Sequence, residues 1–315
     1  MIRLIAGGYA DAGAAGLYPL MLEGGALSVG TPIAGIVNVS AGVRVAGTGR
    51  WFVVDERAGR VLLVDSDADW QVIVSNPSGG AGPYHLALAA GGEALAVANC
   101  DSGDVAVLAI DEAGLPLRLD SHREAGGGPD AERQEGPHAH WVGYGHYGRL
   151  YATDLGTDRV LAFAPDDLGH VAAAFAAPPG SGPRQIAFHP VLARAYLVSE
   201  LASTLTVLDC SAARWVAMAT LSTLPDHAEE ENLGGAIAIN DVGTRVYVSN
   251  RGHDSIATFA IVTERDALPS LCRIRVAPIG RDEPVRALPG GLSPRRHRGA
   301  AGLYPALRRR SGGDL

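Results

Sequence analysis

Two residues able to move a proton or hold an anion stand at one spacing from an acid. His138 lies 16 residues before Asp154, and Arg184 lies 16 before Glu200. A third such residue, Arg251, follows Asn250, which an internal repeat aligns with Glu200. An imidazole with a pKa near 6.5 can take a proton from water, and guanidinium groups can hold an oxyanion or a substrate anion. Such a set suits acyl transfer to water. Equivalent positions in successive repeats point to one ring around one axis.

The remaining reactive residues narrow the chemistry. All 26 basic residues are arginine. Codon bias in a GC-rich genome is the expected cause, but the consequence holds either way: a Schiff base, a P-loop lysine and a lysine general base are all excluded. Ser199 has no GxSxG context. His140 follows His138 by two residues and shares its strand face, yet no Glu follows at the spacing a helical metal site needs. His85 in GPYH is its structural analogue one repeat earlier. Asp154, Asp158 and Asp254 fall where a β-turn favours an Asx side chain. Cys100, Cys210 and Cys272 are too widely spaced for a zinc motif or a disulfide framework.

The elements that position these residues repeat. Units of strand, turn, strand, turn and strand begin at Asn38, Gly82, Gly136, Gly182 and Gly234, with second-strand ends at Asp55, Asn99, Asp154, Glu200 and Asn250. The steps of 44, 55, 46 and 50 residues match the length of a four-stranded propeller blade. Apolar residues alternate or run for four to six positions before a Gly, Asn or Asp turn, so the chain is expected to be all-β. The 41 glycines and 19 prolines supply the turns. No linker interrupts the repeat, which favours one closed domain over residues 1–270. No secretory h-region is present, and no apolar run approaches the roughly 20 residues of a membrane span, so a cytoplasmic protein is expected.

Residues 271–315 differ. They carry 10 Arg against 3 acids, whereas residues 1–270 carry 16 Arg against 31 acids. After LCRIRVAPIG this Arg-, Pro- and Gly-rich tail lacks strand alternation and reads like GC-rich sequence translated out of frame. It lacks the interleaved aromatics of a nucleic-acid-binding tail, and the body is acidic, so no nucleic-acid partner is expected. A closing blade is expected in this region. A tail unable to supply it leaves the last blade incomplete or aberrant, with open edge strands.

GPDAERQEGPHAHWV, TDLGTDRV, GSGPRQIAFHP, YLVSELASTLTV and VYVSNRGHDSIATF resemble segments of the seven-bladed β-propeller lactonase family. That family includes propeller-type 6-phosphogluconolactonase and fungal carboxymuconate cyclase. The resemblance is good over about residues 78–262 and weak outside them. It implies a seven-bladed propeller of four-stranded antiparallel blades with a catalytic set of His138, Arg184, Glu200 and Arg251 around the central channel. His138 would act as base or acid, Arg184 and Arg251 would hold carbonyl oxygen or a substrate anion, and Glu200 would orient an arginine or a water. The scheme requires no cofactor and no metal. The expected reaction is hydrolysis of a small anionic lactone, most concretely 6-phosphogluconolactone in the pentose phosphate pathway. A carboxymuconate-type cycloisomerase and a non-catalytic interaction platform are the alternatives.

Overall fold

The computed structural model describes residues 2–164, 167–228, 231–262 and 270–278. They form six antiparallel sheets, each a meander in which sequence neighbours pair. The first has three strands, Ile2–Ala6, Tyr18–Glu23 and Ala26–Val29. Five four-stranded sheets follow. Their first, inner strands are Gly42–Arg44, Pro83–Leu88, Ala139–Tyr144, Pro183–Phe188 and Leu233–Ile239. The inner strands of consecutive sheets pack on one another. The result is the all-β propeller of four-stranded blades that the repeat predicts, and we number the sheets as blades 1 to 6. A seventh blade would involve residues 279–315, which lie outside the described residues.

The core sits between blades because strand side chains alternate. In blade 3, Leu95 and Val97 face blade 2 and pack with Phe52 and Leu63, whereas Ala96 and Ala98 face blade 4 and pack with Val142 and Phe163. In blade 5, Ala195 and Leu197 face blade 4, and Tyr196 and Val198 face Val246 and Phe259 of blade 6. Strands buried on both faces read as unbroken apolar runs such as RAYLVS, so these second and third strands show no polar alternation.

The turn between second and third strands is the same in five blades. Its fifth residue is left-handed in each: Gly59, Gly103, Asp158, Ser203 and Asp254, with φ between 49° and 75°. Glycine meets this demand without strain, and Asp tolerates it through local hydrogen bonds. The shared turn also fixes the true equivalences. Ser199, not Glu200, ends the second strand of blade 5 and matches Asn250, because Ser199 pairs with Pro183 as Asn250 pairs with Gly234. Likewise Arg184 corresponds to His140 rather than His138, because Ala139 pairs with Asp154 as Pro183 pairs with Ser199. The equal spacings of 16 residues were therefore a coincidence of two offsets.

The outer strand of blade 6, Ser270–Pro278, hydrogen-bonds along Ser255–Val262. The propeller thus continues past residue 270, the boundary set by the change in charge.

Asp158 ties blade 4 to the start of blade 5. Its carboxylate accepts hydrogen bonds from the backbone amides of Gly180 at 2.7 Å and Gly182 at 2.8 Å, two residues before Arg184. Asp158→Ala removes both acceptors and leaves alanine in a left-handed conformation, a loss of about 2–3 kcal/mol. The urea midpoint should fall with an unchanged slope, and an unaltered midpoint would contradict this account.

Candidate active site

Three inner strands each leave one residue out of the ladder at the same place. The register shifts between Pro83 and His85, between Ala139 and Trp141, and between Pro183 and Gln185. The residues left out of the ladder are Tyr84, His140 and Arg184. A bulge re-aims the side chain it leaves unpaired, and these three meet. The Tyr84 and His140 rings are 4.4 Å apart and edge-on. Arg184 Nη2 donates to the Tyr84 hydroxyl at 3.0 Å.

A second ring lies at the exit of each second strand: Glu56, Cys100, Leu155 and Glu200 one residue beyond it, and Arg251 at its last residue. Glu200 is its centre of charge, 2% exposed. Its Oε2 accepts from Arg184 Nε at 2.7 Å and lies 2.7 Å from Arg251 Nη2. Its Oε1 accepts from Arg133 Nη2. His140 Nε2 stands 3.7 Å from Oε2, in ion-pair range but beyond a hydrogen bond. Arg251 Nη2 also donates to the Gly234 carbonyl at 3.1 Å.

Arg133 comes from the connection between blades 3 and 4, which is a built loop. Asp130 Oδ1 accepts from the amides of Glu132 and Arg133. Gln134, buried, donates from Nε2 to the Leu155 carbonyl at 2.8 Å. Gly128 lies against the Gln134 side chain with no room for a Cβ.

Burial opposes ionisation of Glu200, but the surrounding guanidinium groups outweigh it and hold its pKa at about 2. Burial, with Arg184 beside it, keeps the His140 pKa well below 6.5, so its imidazole is neutral. His85 is held at about 3, mainly by burial. Burial lifts the Cys100 thiol far above the usual range, which removes it as a nucleophile. Three guanidinium groups around one carboxylate leave the cluster net positive.

Of the residues expected from sequence, the structure brings Arg184, Glu200 and Arg251 together. His138 stands apart from them. Its Nδ1 is 2.9 Å from the Cys100 carbonyl, its Nε2 is 3.3 Å from Glu135, and its amide donates to Asp154. The histidine against Glu200 is His140. Tyr84, His140, Arg133 and Glu56 were not picked out as members of this group. Aligning the repeats on the left-handed turn residue would have revealed all but Arg133, which lies in a connection outside the repeat. Among the described residues, no three His, Cys, Asp or Glu side chains converge as metal ligands.

The ring continues to blade 2. Glu56, whose pKa burial raises, accepts from the Tyr9 hydroxyl at 2.6 Å. It lines an open cleft of about 350 Å³ with Arg57, Gly82 and Asp101. The cleft lies at the end of the propeller where the second-to-third-strand turns and Glu200 also lie.

The family model described as "Lactonase, 7-bladed beta-propeller" matches residues 3–280. A 6-phosphogluconolactonase of Bacillus subtilis is 31% identical over 215 residues, covering 67% of this chain and 59% of the Bacillus protein. An uncharacterised protein of Lactococcus lactis is 31% identical over 82% of this chain and 78% of its own. Among solved structures, the periplasmic gluconolactonase of Pseudomonas aeruginosa aligns with a TM-score of 0.77 and 26% identity, covering 88% of this chain and 83% of that one.

Glu200 is ionised in the folded chain down to about pH 2, against an ordinary 4.5. Its depressed pKa contributes stability that is full above pH 4.5 and is lost as pH falls toward 2. Glu200→Gln should remove that part of the acid limb and, by leaving buried guanidinium groups without a counter-charge, cost about 3–5 kcal/mol at neutral pH. Thermal unfolding across pH 2–7 tests both, and superimposable profiles for the two proteins would rule out this role.

Proposed function

We propose, from the premise that the chain belongs to the lactonase family of seven-bladed β-propellers, that it hydrolyses an anionic sugar lactone. The concrete substrate is 6-phosphogluconolactone, as the name of the Bacillus relative suggests. The observation that carries the reading is the convergence of Arg133, Arg184 and Arg251 on one buried carboxylate, Glu200. Such a cluster keeps a net positive charge while fixing its guanidinium groups in place. It is suited to an anion and to the oxyanion of a tetrahedral intermediate. The reading includes the cytoplasmic pentose phosphate setting, and a seventh blade closing the ring.

In this scheme His138 is the base. The Cys100 carbonyl can only accept, so His138 Nδ1 carries the proton and Nε2 is the basic nitrogen. His140 is a poor base because its pKa is driven down, and it serves as a neutral wall beside Glu200. Water attacks the lactone carbonyl as its proton passes to His138 Nε2, and the oxygen that gains charge is held by Arg251. The ring C–O bond then breaks, and the imidazolium returns its proton to the leaving oxygen, giving the hydroxy acid. Arg184, locked between Glu200 and Tyr84, holds the geometry.

Hydrolysis of freshly generated 6-phosphogluconolactone above the spontaneous rate tests the reading. His138→Gln should lower kcat about 100-fold or more, the usual weight of a general base. The same loss in His140→Gln with His138→Gln unaffected would move the base to His140. No turnover by the folded chain would sink the lactonase reading, and turnover of a carboxymuconate instead would favour the cycloisomerase.

A further inference from the structure

The three guanidinium groups at Glu200 are not equally committed. Arg184, with a side chain 5% exposed, donates from Nε to Glu200 and from Nη2 to Tyr84. Arg251, 24% exposed, spends Nη2 on both Glu200 and the Gly234 carbonyl. Arg133, 32% exposed, is engaged among the described residues only through Nη2 with Glu200. Its Nε and Nη1 remain to serve a ligand. It is also the one of the three that comes from an inter-blade connection rather than from an inner or second strand.

That connection is fixed independently of Arg133. The Asp130 side chain caps the turn, the Gln134 amide donates to the Asp130 carbonyl at 2.7 Å, and buried Gln134 reaches the Leu155 carbonyl. A guanidinium on such a support loses little entropy when it binds, and its planar fork suits two oxygens of one anion. Burial and the like charge of Arg184 both disfavour the charged form of Arg251, and an added anion relieves that repulsion. One carboxylate against three guanidinium groups leaves two positive charges, matching a phosphate monoester, which carries close to two negative charges at neutral pH.

We propose that Arg133 is the specificity residue of the site, gripping the phosphate of a phosphorylated sugar lactone or acid with its free guanidinium edge. This rests on the lactonase reading for the identity of the sugar ligand, but its test does not need turnover. Titration calorimetry of the full-length chain would compare 6-phosphogluconate with gluconate. The wild type should prefer the phosphorylated acid, and Arg133→Gln should reduce the ratio of the two affinities at least tenfold. Arg133→Lys keeps the charge but loses the fork. It should reduce the ratio at least threefold, and it serves where the Gln variant fails to fold.

An unchanged ratio in the folded variants, or a wild type with no preference or no binding, overturns the assignment. An unchanged ratio in a chain that hydrolyses the lactone does so while the lactonase reading stands. A collapsed ratio in a chain that hydrolyses no lactone supports Arg133 as the phosphate contact and removes the lactonase reading instead.

Discussion

A single buried carboxylate organises this propeller's centre. Glu200 is 2% exposed and would be costly to bury as an anion without partners. It draws Arg184 from the inner strand of its own blade, Arg251 from the next blade, and Arg133 from the connection before blade 4. Each guanidinium would in turn be costly to place there without Glu200. The mutual dependence makes the cluster a joint between blades as well as a site. Buried ion pairs seldom add net stability against an apolar replacement, so the stronger argument for this one is what it holds in place.

The fold supplies that charge cluster by repeating two local devices. A bulge in the inner strand turns one side chain out of the ladder toward the axis, giving Tyr84, His140 and Arg184 in blades 3, 4 and 5. A left-handed residue in the next turn follows the second strand in each blade, and the exit of that strand presents Glu56, Cys100, Leu155, Glu200 and Arg251 around the same axis. Backbone geometry is constant while side-chain identity changes from blade to blade. Function is thus written in the differences between repeats, and stability in what they share.

The shared part was legible in the sequence. Strand periodicity, turn residues and a repeat of about 50 residues led to four-stranded antiparallel blades, and the family segments led to Arg184, Glu200 and Arg251. What failed was register. His138 and Arg184 looked equivalent because each precedes an acid by 16 residues, but one offset lies in the longer entry to blade 4 and the other in the displaced acid of blade 5. In the ladder the counterpart of Arg184 is His140, two residues further along the same strand face. Arg133 was hidden for a different reason, since a long-range ion pair from a polar loop leaves no periodic trace.

The site also depends on the first sheet, which supplies no member of the charged cluster. Tyr9 donates to Glu56, and the Ser40 hydroxyl, which also hydrogen-bonds Glu56, reaches the Tyr84 carbonyl at 3.3 Å. Tyr84 then receives Arg184, which holds Glu200. A continuous set of hydrogen bonds therefore runs from the first sheet through blades 2 and 3 to blade 5. Glu56 and Glu200 occupy the same ring position, yet their surroundings differ: Glu56 meets a phenol and a hydroxyl and has its pKa raised by burial, while Glu200 meets guanidinium groups and is strongly ionised. One ring position thus provides a carboxyl that burial inclines to hold its proton and a carboxylate that cannot be neutral at working pH. That asymmetry polarises the axis, with Glu56 and Asp101 at the cleft between blades 2 and 3 and cations gathered between blades 4 and 6, where an anion would be favoured.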